Sequence, residues 1–411
     1  MRHLFRLPLT GLDSKEEGLN NVYIVSGART AVGKFGGSLA SFSAADLGTI
    51  AAKAALERAG VKPEQIEETI VGNARQAGGG PNVGRQISFR SGVPQEVPAY
   101  TVNMACGSGL RAIGNCFLEI AVGNREVMLT VGVEAMSKIP YLLDGARWGY
   151  RLGTKELVDA MYRDGYNCPL SNMIMGETAD ALAVKYCISR EEQDQYALRS
   201  QHRAQAATES GRFKDEMVPI TIEGKKGPTV VDKDEHIFLD ATLEKMAKLK
   251  PVFSKTGTVT AGNASGITDG AASLVLASEA FVKKNNLKPM ARIIGITSAG
   301  VDPCYMGLGP VPACQILEKK TGIKTGDYEL VELNEAFASQ VLACDRELHF
   351  NHEILNVNGG AISLGHPTGC TGARITTTLI YEMKKRKNKL GLATLCVSGG
   401  LGLALAIENV A

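Results

Sequence analysis

Two sulfurs and one imidazole, far apart in the chain, are the groups in this sequence best suited to covalent chemistry. Cys106 stands in Asn103-Met104-Ala105-Cys106-Gly107-Ser108-Gly109-Leu110-Arg111, where a short apolar run passes through small residues into a helical pattern. Leu110, Ile113, Phe117, Ile120 and Ala121 then recur at helix spacing. A sulfur beside a helix amino end meets unpaired N–H groups and the positive end of the helix dipole, both of which favour the nucleophilic thiolate. Gly107 and Gly109 let a ligand come close to the backbone. Taken alone, the same stretch would serve a buried structural cysteine beside a tight turn. His366, in Gly365-His366-Pro367, and Cys396, in Cys396-Val397-Ser398-Gly399-Gly400, widen the possibilities. An imidazole within hydrogen-bond reach makes a thiol a working nucleophile. A second thiol is redundant for hydrolysis, but it has a task where a proton must also leave a carbon beside a carbonyl.

These groups need elements that bring them together. The Cys106, His366 and Cys396 turns, with a fourth at Asn334-Glu335-Ala336-Phe337, each follow a predicted strand. Ligands of open α/β sheets bind outside the carboxyl ends of strands, so all four turns can face one crevice. Strand-like runs start at Val22-Tyr23-Ile24-Val25 and recur at 69–72, 127–131, 273–276, 292–296, 330–333, 354–357, 393–397 and 403–407. Helical patterns lie between them, which predicts a parallel, helix-covered sheet. Ser43 with Asp46 opens one helix and Gly60 closes it. Helices are also expected after Pro310, from Glu335 and from about Gly369. Between 137 and 266 the alternation breaks into loops around one long helix, opened by Ser189-Arg190-Glu191-Glu192 and closed at Gly211; this reads as an inserted cap. Val102-Asn103 leading to Gly109-Leu110-Arg111 is echoed by Val357-Asn358 leading to Gly372-Ala373-Arg374, with His366 inside the longer second turn. That echo points to a duplication.

Composition narrows the class. A chain of 411 residues is too long for one ordinary core. With 44% hydrophobic and 21% charged residues it reads as a packed globule, and a net charge of +2 gives no case for nucleic acid. No apolar run reaches membrane-spanning length. Nine scattered cysteines, with no C-x-x-C pair and no zinc spacing, fit a reducing cytoplasm or organelle matrix better than an oxidising compartment, and the cytoplasm is the expectation. His349 and His352 lack a further ligand, so no metal is expected. Residues 1–20 read as a flexible leader or an extended start.

The chain resembles the thiolases from about residue 21 onward. The resemblance rests on the Cys106 stretch, Ala261-Gly262-Asn263-Ala264-Ser265-Gly266, Met306-Gly307-Leu308-Gly309-Pro310 and Gly360-Ala361-Ile362-Ser363-Leu364-Gly365-His366-Pro367. It implies an α/β class protein with a duplicated thiolase fold, layered α-β-α-β-α, carrying an inserted loop domain. The expected division is 21–136 with 267–288 for the first half, 137–266 for the insert and 289–411 for the second half. The resemblance further implies acyl-CoA substrates, no cofactor beyond these coenzyme A thioesters, and assembly as a homodimer or homotetramer. By the same resemblance Cys106 takes the acyl group, His366 deprotonates it, Cys396 moves the α-proton and Asn334 holds a water at the enolate oxygen. The N–H groups of Cys106 and Ser398 form the oxyanion hole. Ser265, with Ala264 and Phe337 beside it, meets the pantetheine arm, and Met175 and Met306 close the acyl pocket. The activity implied is acetyl-CoA C-acetyltransfer. Gly369-Cys370-Thr371-Gly372 is instead similar to broader 3-ketoacyl-CoA thiolases. Three departures stand out: Ser398 where glycine is common, Phe238 where an arginine often sits, and Ile174 where acetyl-specific relatives tend to carry histidine. Strain at Ser398 would turn the scaffold into an acyl-CoA-binding protein.

Overall fold

The computed structural model describes residues 19–225 and 227–411. Nine strands form one continuous sheet: β1 Val22–Thr30, β2 Glu68–Gly72, β3 Ala99–Val102, β4 Val127–Ala135, β5 Thr268–Ser278, β6 Ala291–Gly300, β7 Leu330–Leu333, β8 Leu390–Val397 and β9 Leu401–Asn409. Their order is β7-β8-β9-β6-β1-β5-β4-β2-β3, with two short strands attached off this path. The sheet is two copies of one pattern. In the first, β1, β5 and β4 are antiparallel neighbours, and β2 and β3 continue parallel to β4. In the second, β6, β9 and β8 repeat the antiparallel run and β7 continues parallel to β8. Among the described residues, two pairs, Tyr23 with Arg292 and Ile24 with Ala291, join the copies edge to edge.

Among the described residues, eight helices of eight residues or more clothe these strands: α1 Ala44–Ala59, α2 Val83–Arg90, α3 Ser108–Ala121, α4 Met175–Lys185, α5 Arg190–Glu209, α6 Pro310–Thr321, α7 Ala338–Leu348 and α8 Thr371–Arg386. Their ends follow local chemistry. The Ser43 hydroxyl caps the Asp46 N–H and the Asp46 carboxylate answers at the Ser43 N–H, 3.0 Å away, while Gly60 ends α1 at φ +64°. Ser189 and Glu192 form the same pair at the head of α5.

Three apolar layers hold the stack together. Leu47 and Ala51 of α1 pack on Val131 and Val275 of the first half-sheet. Leu110 and Ile113 of α3 and Ile375 and Leu379 of α8 lie between the half-sheets, touching Ile70 and Leu274 on one side and Leu395 and Leu405 on the other. Val311 of α6 and Val341 of α7 cover Leu392 and Ala404 on the far face. The layers therefore run α-β-α-β-α, as expected.

The amino ends of α3 and α8 meet at the centre. A Cβ on Gly109 would lie 2.8 Å from the Gly369 carbonyl oxygen, and one on Gly372 would lie 2.2 Å from the Leu110 nitrogen. Glycine is required at both, because the obstacle is backbone rather than a side chain that can swing away.

Three expectations need correction. The sheet is mixed rather than parallel: among these nine strands β1, β4, β5, β6, β8 and β9 pair antiparallel, and parallel pairing is confined to β2 with β3 and β4 and to β7 with β8. The three residues between β8 and β9 are too few for a parallel crossover. Residues 354–357 form no strand; Leu355 makes an isolated bridge to Val331 and Val357 one to Gly359. Asn356 turns left-handed at φ +49° and substitutes its side-chain amide for a strand's backbone, accepting from the Leu333 N–H (2.9 Å) and donating to the Leu333 carbonyl (2.8 Å). The helix expected from Glu335 starts at Ala338. Glu335 is instead drawn inward, where its carboxylate accepts from Tyr196 (2.8 Å), Ser200 (2.6 Å) and the Ile362 N–H (3.2 Å). Of the expected leader, only Leu19 and Asn20 fall within the described residues, and the Asn20 N–H is held by the Ala121 carbonyl. The segment from 137 to 266 contains α4, α5 and three small two-stranded ribbons.

Candidate active site

The Cys106 turn is over-determined. Ala105, just before the cysteine, sits left-handed at φ +44°, an uncommon state for a residue with a Cβ. Asn103 Oδ1 accepts the Ala105 N–H at 2.9 Å, and Ser108 Oγ bonds both the Met104 N–H (2.9 Å) and the Ala105 carbonyl (2.7 Å). Such local strain persists only where the surroundings enforce it, and it collects at functional sites. Here it sets Cys106 immediately before Gly107, the cap of α3. A Cβ on Gly107 would touch Leu403 and Val397, so the first copy's turn abuts the second copy's strands.

His366 is fixed as firmly. Its N–H bonds the Gly266 carbonyl (3.1 Å), and Nδ1 lies 2.6 Å from Thr371 Oγ1. The Thr371 hydroxyl donates to the Pro367 carbonyl, so it accepts from Nδ1–H. That network assigns the tautomer in which Nε2 carries a lone pair, and Nε2 has no hydrogen-bond partner in the protein. Burial, reinforced by the nearby Arg75 and Arg374 guanidinium groups, pushes the His366 pKa down to about 3. The imidazole is therefore a neutral base throughout the ordinary pH range.

One cavity of about 360 Å³, mainly apolar, gathers most of the expected residues. Cys106, His366, Cys396 and Ser398 share its wall. Met175 and Met306 also line it, and both pack in one apolar cluster with Cys396 and Phe337. Ala264 and Ser265 line it too, held by a bridge from Ala264 to Phe337 and by the Ser265 N–H on the Ala336 carbonyl (3.0 Å). Asn334 is not on the lining. It is buried at the end of β7, with both amide atoms unpartnered by protein. Ser398 does not adopt a left-handed backbone; that demand falls on Gly399 (φ +86°) and Gly400 (φ +83°). The departure from glycine at Ser398 therefore imposes no left-handed backbone, and the positions that need glycine still have it.

Burial overrides the helix end. The Cys106 thiol is pushed above its ordinary pKa chiefly by desolvation, against the lowering effect of Arg75 and of the Ser398 N–H directed at its sulfur. Thiolate stabilisation was expected from the helix end; desolvation instead favours the thiol. Cys396 is driven well up, by burial and then by Cys106, so the two sulfurs disfavour each other's ionisation. The alkylation rate of Cys106 by iodoacetamide should thus keep climbing from pH 7 to pH 9, since a raised pKa leaves the thiolate fraction still growing there. A plateau reached below pH 7, read by mass spectrometry of the labelled peptide, would contradict a thiol resting state.

Several groups at this site carry no motif. Glu134 is a buried carboxylate that accepts from Thr368 Oγ1 (2.7 Å), the Gly369 N–H (2.8 Å) and Asn73 Nδ2 (2.7 Å), which ties the His366 loop to the loop after β2. Its signal was a lone acid in the apolar run Val131-Gly132-Val133-Glu134-Ala135. Arg75 also lines the cavity, its guanidinium 4.9 Å from the centre of the Tyr166 ring, and no periodicity or spacing pointed to it. His352 Nε2 bonds Asp345 (2.7 Å), while His349 caps α7.

Comparison with known proteins agrees with this geometry. The family model for the thiolase N-terminal domain matches residues 22–280, and that for the thiolase C-terminal domain matches 287–409. An acetyl-CoA acetyltransferase of Cupriavidus necator is 49% identical over 392 residues, covering 95% of this chain and 100% of that protein. The solved acetyl-CoA acetyltransferase of Syntrophomonas wolfei superposes with a TM-score of 0.94 at 44% identity, over 95% of this chain and 100% of that one. The human mitochondrial 3-ketoacyl-CoA thiolase gives 0.93 at 45% identity, over 95% and 99%. With both family models filling nearly the whole described chain, and with two cysteines and a histidine on one cavity wall, the chain belongs to the thiolase family.

Proposed function

We propose that the protein is an acetyl-CoA C-acetyltransferase, joining two acetyl-CoA molecules into acetoacetyl-CoA and CoA, reversibly. The observation that carries this reading is the single cavity wall shared by Cys106, His366 and Cys396. His366 Nε2, the ring nitrogen with a free lone pair, takes the Cys106 proton as the sulfur attacks the thioester carbonyl. The N–H groups of Cys106 and Ser398, both directed at the sulfur in the resting protein, take the oxyanion. Such a donor contributes about 3–4 kcal/mol to the transition state. CoA leaves, and Cys106 holds the acetyl group. The departing CoA takes its proton from His366. Cys396 then passes its own proton to His366 and, as the thiolate, removes the α-proton of a second acetyl-CoA; the carbanion attacks the acetyl carbon, and the released Cys106 sulfur recovers its proton from His366. His366 and a water held by Asn334 steady the enolate oxygen. Ser265 and Ala264 contact the pantetheine arm, with Phe337 behind them, and Met175 and Met306 bound the acyl group. Flexible thioethers fill such a gap well.

The nine cysteines, all unpaired, support action in the reducing cytoplasm. Homo-oligomer assembly is supported by β3, an edge strand of the sheet that carries the exposed Tyr100. Incubation with acetyl-CoA followed by peptide mapping should find the acetyl group on the peptide bearing Cys106, and added CoA should remove it. Acetoacetyl-CoA should be cleaved in preference to 3-oxooctanoyl-CoA. No adduct would refute the nucleophile, and preference for the eight-carbon chain would shift the reading to a 3-ketoacyl-CoA thiolase.

A further inference from the structure

Cys106 and His366 belong to different repeats, so the distance between sulfur and imidazole depends on how the two turns are tied together. The Glu134 side chain stands at that junction. It sits one residue from the end of β4, fully buried, and does not line the cavity. Its carboxylate accepts five hydrogen bonds. Oε1 takes Asn73 Nδ2 (2.7 Å) and the Arg75 N–H (3.1 Å). Oε2 takes the Ala74 N–H (3.2 Å), Thr368 Oγ1 (2.7 Å) and the Gly369 N–H (2.8 Å).

From this carboxylate one path runs to the nucleophile and another to the base. On the first side, the Ala74 carbonyl accepts from Asn103 Nδ2 at 2.9 Å. Asn103 Oδ1 in turn accepts the Ala105 N–H at 2.9 Å, one residue before Cys106. On the second side, Thr368 and Gly369 follow His366-Pro367 directly. The Pro367 carbonyl accepts the Cys370 N–H (2.8 Å) and the Thr371 hydroxyl (3.1 Å), the same hydroxyl that receives Nδ1–H of His366. The two sides also touch. A Cβ on Gly369 would lie 2.5 Å from the Val133 carbonyl oxygen and 2.8 Å from the Ala74 nitrogen.

The backbone N–H groups that converge here cannot turn round, so the group at their meeting point must accept on both of its oxygens. An ionised carboxylate does so, whereas an amide offers an oxygen to one set of donors and N–H to the other. Hydrogen bonds to a buried charge are strong and hold their geometry. That matters because proton transfer needs heavy atoms about 2.6–3.2 Å apart, and a misplacement of about 1 Å costs roughly 10²-fold.

We propose that Glu134 is a positioning residue, which holds the Cys106 turn of one repeat and the His366 turn of the other at proton-transfer distance. This deepens the thiolase reading and rests on Cys106 and His366 as nucleophile and base. Glu134 meets neither substrate nor sulfur, and acts through the two loops alone.

The test is a double-mutant cycle read by exchange of labelled CoA into acetyl-CoA, which needs only Cys106 and its base. Glu134→Gln keeps the side chain's size and turns N–H groups toward one set of donors. Its exchange kcat should fall about 10²-fold, with KM for acetyl-CoA within about threefold. His366→Ala alone should cost about 10³-fold. Adding Glu134→Gln to His366→Ala should then cost less than about twofold, because no base is left to misplace. A further loss of about 10²-fold in the double variant would show that the carboxylate serves the fold alone and would overturn the proposal. Wild-type exchange in Glu134→Gln would overturn it too. Thr368→Val removes a single arm and decides the matter if Glu134→Gln does not fold. It should lower kcat about fivefold, the net worth of one hydrogen bond, in the wild type but not over His366→Ala. Equal losses in both backgrounds would refute the positioning role. Undiminished exchange in His366→Ala would instead refute the base itself, a result separate from whether the cycle is additive.

Discussion

In Cys396→Ala, condensation of acetyl-CoA should fall by about 10³-fold, while exchange of labelled CoA into acetyl-CoA survives within about tenfold. The two measurements separate because they need different chemistry. Exchange requires only that Cys106 take the acetyl group and return it to CoA, with His366 moving the proton. Condensation also requires a carbanion, and removing a positioned acid–base group usually costs roughly 10²–10⁴-fold. The high end is apt, because Cys396 is buried on the cavity wall and no other ionisable sulfur lines it besides Cys106. Cys106→Ala should abolish both reactions. The alanine at 396 removes one sulfur from a packed cluster with Met175, Met306 and Phe337, so a thermal midpoint near wild type is the accompanying control. If exchange and condensation fell together in Cys396→Ala, the division of labour between the sulfurs would be wrong.

Gly372→Ala should be among the most damaging small substitutions in the chain, lowering stability by about 3 kcal/mol, the upper end of ordinary overpacking costs. The added carbon would stand 2.2 Å from the Leu110 nitrogen and 2.7 Å from its Cα, both part of α3. Relief would require α3 and α8 to part, and both are gripped by half-sheets on either side. Gly60→Ala is the fitting contrast. Gly60 sits left-handed at φ +64° but faces open space, so the cost there is the backbone's alone, about 1 kcal/mol. Urea midpoints of the two variants would decide the matter. Equal destabilisation would mean that the helix ends are not tightly opposed.

Helix boundaries were largely legible in the residues, because they depend on neighbours in sequence. Ser43 with Asp46, Ser189 with Glu192, Gly60 and Pro310 act within a turn of where they stand. The echo between the Cys106 and His366 stretches was legible for the same reason, and the repeated strand pattern accounts for it. What escaped is long-range. Asn356 reads as part of a strand until its amide is seen to replace the backbone opposite Leu333. Glu335 reads as a helix start until Tyr196 and Ser200, on a helix over a hundred residues earlier, claim its carboxylate. The thiolate expected at Cys106 followed from the helix end alone, whereas the upward shift of its pKa follows chiefly from desolvation by segments distant in sequence. Arg75 lies in a loop, where type and spacing carry little signal, and only its contact with Tyr166 and Gly165 brings it to notice.

The repeated strand pattern has a consequence for how this molecule can change over time. Its cavity draws Cys106 from one repeat and His366, Cys396 and Ser398 from the other. Ordinarily a second copy is a spare, free to drift while the first keeps working. Here neither copy encloses a complete pocket, so the spare was spent when the labour was divided, and inheritance must preserve both halves as a single unit.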